Sequence, residues 1–243
     1  MQVKLPLVEK RKMTLPNLCV ITIGNVSSAL VLEIYRKLQF QVEVIEIPFI
    51  YAQDYEEWKL WNSTGREAFE GIGAGAAGCL LGHRIAWEKL SESSFEMAII
   101  LEADAQLTNY GKKYLAALIN NVQSLHWNIL HLGSHELMSN VFAARNFMSL
   151  SPRVVAKYLW ERIYLKTRSP RIKEMQFPYS THAYLIKKDA AALLSRLEID
   201  FMVPVDVMLN SYSQVKGNRI LRCRTPLIIQ RTDHQSQTKR LGR

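Results

Sequence analysis

Short β-rich apolar runs return along this chain, and most are followed by a segment with helical spacing. LCVITI (18–23) ends at Gly24-Asn25, and Ser27 or Ser28 then caps a helix reaching Leu38. QVEVIEI (41–47) alternates and is stopped by Pro48, as a half-buried strand is. EMAIILEAD (96–104) is an apolar run ending in acid, followed by an amphipathic helix from Tyr110 to Leu125. WNILHLG (127–133) reads as a strand with a glycine stop, and THAYLIK (181–187) as a strand feeding a helix from Lys188 to Leu197. Strands alternating with helices predict an α/β domain with a mostly parallel central sheet flanked by helices.

Between these elements, residues 48–70 read as an irregular connection with one short helix, and Ala76 to Leu90 has helical spacing, with Leu80, His83, Trp87 and Leu90 on one face. Ser151-Pro152 opens a further helix to Lys166, with proline at the first-turn position it favours. Residues 167–178 are basic and proline-punctuated, a loop, while MVPVD (202–206) leads into a short helix. ILRC and PLIIQ, near 220–230, read as two final strands. No repeat or clean linker divides the chain, so 1–230 is expected to be one domain and 231–243 a basic, poorly ordered tail.

Lys plus Arg number 31 against 22 acidic residues, a formal charge of +9, which favours anionic partners. The basic residues are scattered rather than gathered into a stripe with interleaved aromatics, which argues against nucleic acid. Cys19, Cys79 and Cys223 are widely spaced with no C-x-x-C, which fits a reducing compartment better than a disulfide or zinc framework. MQVKLPLVEKRKM has charges with no apolar core directly behind them, against a signal peptide. The expected location is cytoplasmic.

Residues 73–78 spell GAGAAG, a literal G-x-G-x-x-G. A dinucleotide turn needs a strand directly before its first glycine, yet STGREAFEGI (63–72) carries three charges and no β-branched run. Small residues there are better read as permitting close packing against a neighbour or a ligand. The strand end Glu102-Ala103-Asp104 carries more. Residues i and i+2 of an extended chain point to one side, so two carboxylates can share a hard divalent cation such as Mg²⁺ or Mn²⁺. The alternative is a solvated cap.

Taken in order, G-x-x-G-C-x-x-x-H-x-x-x-W, LE-x-D, W-x-I-L-x-L-G, T-x-A-Y-L-I and P-V-D resemble glycosyltransferase family 25, the lipopolysaccharide and lipooligosaccharide biosynthesis glycosyltransferases. The matching residues are Gly75, Gly78, Cys79, His83, Trp87, Leu101, Glu102, Asp104, Leu132, Gly133, Thr181, Ala183, Tyr184, Pro204 and Asp206. The resemblance departs at Ala103, where the family has a middle aspartate, and at Gly82, where it has serine.

The resemblance implies a GT-A-like nucleotide-sugar fold and inverting transfer of a hexose, galactose or glucose, from a UDP-sugar to a glycolipid or other glycan. Gly75, Gly78, His83, Asp104 and Thr181 would then grip the donor. Asp104 and Glu102 would hold Mn²⁺ or Mg²⁺, with His234 a late ligand from the tail. Glu102 would also be a catalytic carboxylate. Asp206 is either the base that takes the acceptor's proton, an acceptor-binding carboxylate, or a helix N-cap. His83 either lines the site or packs in the core, and one of His131, His135 and His182 is a candidate substrate contact. Trp58 and Trp61 can stack on a sugar or uracil, or simply pack. Arg168, Arg171 and Lys173 can grip phosphate or form a solvated face. The positive charge also fits peripheral contact with an anionic membrane. The lost aspartate at Ala103 keeps open a second reading, an impaired nucleotide-sugar-binding relative.

Overall fold

In a computed structural model, residues 17–38, 42–56, 58–59, 73–135, 172–174, 180–198 and 203–231 are described. Their elements are β1 (Leu18–Ile23), α1 (Ser28–Leu38), β2 (Glu43–Ile47), a 3-10 turn (Ala52–Asp54), α2 (Ala74–Glu92), β3 (Met97–Glu102), β4 (Ala105–Leu107) and α3 (Asn109–Val122), then β5 (Ile129–His131), β6 (Gly133–His135), β7 (Ile172–Glu174), β8 (Ala183–Lys187), α4 (Lys188–Ser195), α5 (Val205–Gln214), β9 (Ile220–Cys223) and β10 (Ile228–Gln230).

Seven strands form the main sheet in the order β2-β1-β3-β8-β5-β9-β7. Neighbours β2, β1 and β3 are parallel, as are β5 and β9, whereas β8 is antiparallel to both β3 and β5, and β7 to β9. Five strands therefore run one way and two the other, giving a mostly parallel sheet with a reversed strand at its centre. The strand in THAYLIK is correctly located by its apolar run, but its direction is not a local property. Two further corrections concern strands. Residues 172–174, inside the stretch expected to be a loop, form edge strand β7. The strand expected to end at Gly133 instead passes through Leu132 into β6, which joins β4 and β10 in a second, three-stranded sheet.

Side-chain alternation builds the three layers. In β1, Cys19, Ile21 and Ile23 face one apolar cluster, and Leu18 and Val20 face the other. The first cluster is closed by α2, α4 and α5 through residues such as Leu80, Trp87, Leu90, Leu194 and Leu209. The second is closed by Leu30, Ile34 and Leu38 of α1 and Leu115, Leu118 and Ile119 of α3. A strand covered on both faces must be apolar throughout, and β1 is buried along its whole length. The i, i+4, i+8 stripe of α1 supplies the matching helical face; fully burying a side chain such as Ile34 stabilises the fold by about 1.5–3 kcal/mol.

Helix α3 starts where Thr108 accepts a hydrogen bond from the Gly111 backbone N–H at 2.9 Å, a side-chain N-cap. Gly111 has no room for a Cβ, because the Leu227 carbonyl lies against it. Among the described residues no helix is long and apolar enough to cross a membrane.

Candidate functional site

Parallel strands β1 and β3 end side by side, and the chain leaves β1 toward β2 on one flank and reaches β3 on the other. Crevices of this kind, at the carboxyl ends of strands where the winding reverses, are where open α/β sheets bind ligands. Gly24 turns the chain out of β1 with φ +76°, and its α-carbon faces Ala103 just beyond β3. The helix α2 lies across this edge. Gly78 is its point of closest approach: a Cβ there would overlap the Ile50 carbonyl oxygen.

Glu102 closes β3 on the same face as Ala98 and Ile100, which pack under α2. From α2, His83 points its Nε2 at Glu102 Oε1, 3.0 Å away. The hydroxyl of Thr181, just before β8, donates to the same oxygen. Both hydrogen bonds fall on Oε1, so among the described residues Oε2 is left for a ligand. Behind His83, its Nδ1 lies 2.7 Å from the Tyr184 hydroxyl, which also accepts from Trp87 Nε1 at 3.0 Å. Trp87 N–H donates to Tyr184. Assigning the His83 proton to Nε2 makes Tyr184 O–H the donor to Nδ1 and Nε2–H the donor to Glu102. Burial of Glu102 opposes its charge, but His83, Thr181 and nearby His182 outweigh that and hold its pKa below the usual range. Burial holds the Tyr184 hydroxyl well above its ordinary value, so it stays a donor.

Cys79, one helical turn before His83, is half-buried beside Thr181. Burial, and then the charges of Glu102, Asp206 and Asp104, raise its thiol pKa well above the ordinary value. Coulomb interactions weaken with distance, and of the three carboxylates Glu102 acts on this thiol most strongly. Helix α5, which carries Asp206, packs on α2.

The two acids after Leu101 are not arranged as an extended chain would have them. Strand β3 ends at Glu102, and Ala103 and Asp104 form a turn into β4. Rather than sharing a strand face with Glu102, Asp104 is oriented from β10, where Gln230 Nε2 donates to its Oδ2 at 2.6 Å, while the Arg231 N–H donates to its carbonyl. Asp206 is not the N-cap of α5: Pro204 holds that position, and Asp206 sits inside the first turn with Oδ1 accepting from the Val207 N–H at 2.9 Å.

His83 is a fully buried core histidine, and its imidazole bridges Tyr184 and Glu102. His131 and His182 are buried in internal hydrogen bonds, to the Ser180 carbonyl and to Ser180 Oγ and the Ile228 carbonyl. They support the Thr181 segment from behind rather than lining the crevice. Gly133 gives His182 its room, since any Cβ there would overlap the imidazole. Trp58 is a core residue under α2. Gly75 lies half-buried in the first turn of α2, and His135 lies on β6. Trp61, Arg168, Arg171, His234 and the helix expected over 151–166 lie outside the described residues, as does the side chain of Lys173.

Sequence reasoning gave no site role to Cys79, Tyr184 or Gln230. For the first a signal existed: Cys79 and His83 stand at i and i+4, the spacing of paired ligands on one helix face. A tyrosine inside an apolar strand must satisfy its hydroxyl, which pointed to Tyr184. For Gln230 there was none. Carboxylate oxygens such as those of Glu102 and Asp104 are the atoms a hard cation prefers, although the turn at Ala103 takes Asp104 off the strand face of Glu102.

Residues 37–209 match the family model described as glycosyltransferase family 25 (LPS biosynthesis protein). That span contains Cys79, His83, Glu102, Asp104, Thr181, Tyr184 and Asp206. No curated protein matches the chain. A solved structure described as the crystal structure of a mycobacterial protein is similar at 12% identity and TM-score 0.40, over 91% of this chain and 69% of that one; at that score the likeness carries no argument.

Proposed function

The chain belongs to glycosyltransferase family 25, and from that membership we propose that it transfers a hexose, galactose or glucose, from a UDP-sugar to a lipopolysaccharide-type or other glycan acceptor, with inversion, in a GT-A-like fold. The observation that supports this reading is Glu102 at the carboxyl end of β3, beside β1, its Oε1 held by His83 and Thr181.

Breaking the bond between sugar and diphosphate builds negative charge on the leaving group. A divalent cation held by Asp104 and Glu102 Oε2 would supply Lewis-acid neutralisation of that charge. Glu102 is kept ionised and aimed by His83 and Thr181. Gln230 fixes Asp104. Asp206, on a separate element, is suited to take the proton of the attacking acceptor hydroxyl. The uncapped start of α2, with half-buried Ala74, Gly75 and Ala76, presents backbone N–H groups and the positive end of a helix dipole to an anionic donor. The net charge of +9 suits a peripheral stand at an anionic membrane face.

Calorimetric titration with UDP-galactose and UDP-glucose, with and without Mn²⁺, tests the donor half of this reading. Binding that needs the cation and is lost in Asp104→Asn supports it; no binding of either nucleotide sugar with Mn²⁺ present contradicts it.

A further inference from the structure

We infer that Cys79, His83 and Glu102 form a binding site for a borderline-soft divalent cation such as Zn²⁺, distinct in ligand chemistry from the hard-cation role of Asp104, and that filling it silences the enzyme. The ligand atoms of these three side chains all lie within 4.8 Å of one another. Zinc–ligand bonds of about 2.0–2.3 Å put neighbouring donors around one ion about 3.5 Å apart, so the proposed binding draws the three side chains slightly together. Sulfur, imidazole nitrogen and carboxylate oxygen together suit Zn²⁺ and its neighbours and match neither Mg²⁺ nor Ca²⁺.

The supports are those of a ligand site. Cys79 and His83 project from one face of α2 at i and i+4, and Glu102 meets them from the end of β3. Tyr184 faces the far nitrogen of His83, the position from which metal-bound histidines are oriented. With the ion on Nε2, the imidazole proton sits on Nδ1, and the Tyr184 O–H turns away so that its oxygen accepts from Nδ1–H as it does from Trp87 Nε1. The Cys79 thiol proton leaves to solvent as the ion binds. Cys79 and Glu102 are half-buried while His83 is fully buried, and a water would complete a four-coordinate shell. Occupation would break the His83–Glu102 hydrogen bond and take Glu102 from the donor. That inhibitory consequence rests on the transferase reading; the binding does not.

The test uses Co²⁺ as a coloured substitute, on the full untagged chain with no donor or acceptor present. The expected result is an intense tetrahedral visible spectrum with a near-ultraviolet thiolate-to-cobalt band, displaced by Zn²⁺, lost in Cys79→Ser and retained in Cys223→Ser. A weak octahedral spectrum with no thiolate band in the wild-type chain, or a thiolate band unchanged in Cys79→Ser, would overturn it. The wild-type spectrum decides even if the variant does not fold. UDP-sugar turnover enters neither arm, so failure here and failure of the transferase reading are separate results.

Discussion

His83 Nε2 stands 3.0 Å from Glu102 Oε1, and the nitrogen on the other side of the same ring stands 2.7 Å from the Tyr184 hydroxyl. A buried imidazole with both nitrogens engaged has one orientation, and it passes that constraint to the carboxylate at the mouth of the sheet. Tyr184, from the central reversed strand, is thus tied to the site through His83.

Tyr184→Phe removes the oxygen that serves both Trp87 and His83, leaving buried polar groups unmatched. The expected cost is about 1–3 kcal/mol, read as a lower urea midpoint with unchanged m-value. Donor turnover should fall as well, because Glu102 loses its fixed partner. Wild-type stability in Tyr184→Phe would contradict the buried hydrogen bonds that Tyr184 makes to Trp87 and His83.

Gly78 and Gly82 sit in the same helix and differ in what an added methyl would meet. At Gly78 it meets the Ile50 backbone carbonyl, and at Gly82 the Ile23 side-chain methyl at 2.9 Å. Both gain about 1 kcal/mol of helix propensity as alanine. Gly78→Ala should nonetheless be destabilised by about 1–3 kcal/mol through overpacking, and Gly82→Ala should lie near wild type, because Ile23 can shift. Equal denaturation midpoints for the two variants would contradict the close approach of α2 to the chain after β2.

Burial pushes the Cys19 and Cys223 thiols up to about 12, helped at Cys19 by the charge of Glu43. An unfolded thiol titrates near 9. Between these values the folded chain binds more protons than the unfolded one, so this contribution is fully present below pH 9 and is lost as pH rises toward 12. Urea midpoints should therefore fall on going from pH 8 to pH 11, less steeply in Cys19→Ala. A Cys19→Ala slope equal to the wild-type slope would contradict the assignment to Cys19.

How far the sequence discloses this architecture depends on whether a feature is local. The alternation of Leu18 and Val20 against Cys19, Ile21 and Ile23 is local, and it places β1 between two helical layers without any knowledge of partners. The direction of β8 is set by Leu101 and His131 pairing with Ala183 and Tyr184 across the sheet, and no run of letters encodes it. The second sheet is missed for the same reason, its strands being three residues each. At the site, Glu102, Thr181 and Asp206 are legible as motif residues. The turn at Ala103–Asp104 is not, because nothing in AIILEADA breaks the strand; the pairing of β4 with β10 does.

Ala103 stands in that turn against Gly24, at the position where the family resemblance expects a middle aspartate. Ala103→Asp should add an oxygen ligand and lower the Mn²⁺ concentration needed for half-maximal UDP release. An unchanged Mn²⁺ requirement would mean that position 103 does not face the cation.

The proposed function assigns Glu102, Asp104 and Asp206 to one transferase centre. The most direct measurement is UDP release from UDP-galactose and UDP-glucose with Mn²⁺ and a panel of lipopolysaccharide-core acceptors, for the wild-type chain and for Glu102→Gln, Asp104→Asn and Asp206→Asn. The expected result is acceptor-dependent release by the wild type and at least a hundredfold loss, about 3 kcal/mol of transition-state stabilisation, in each folded variant. Release that persists unchanged in all three variants, or no release by the wild type with either donor, would contradict it.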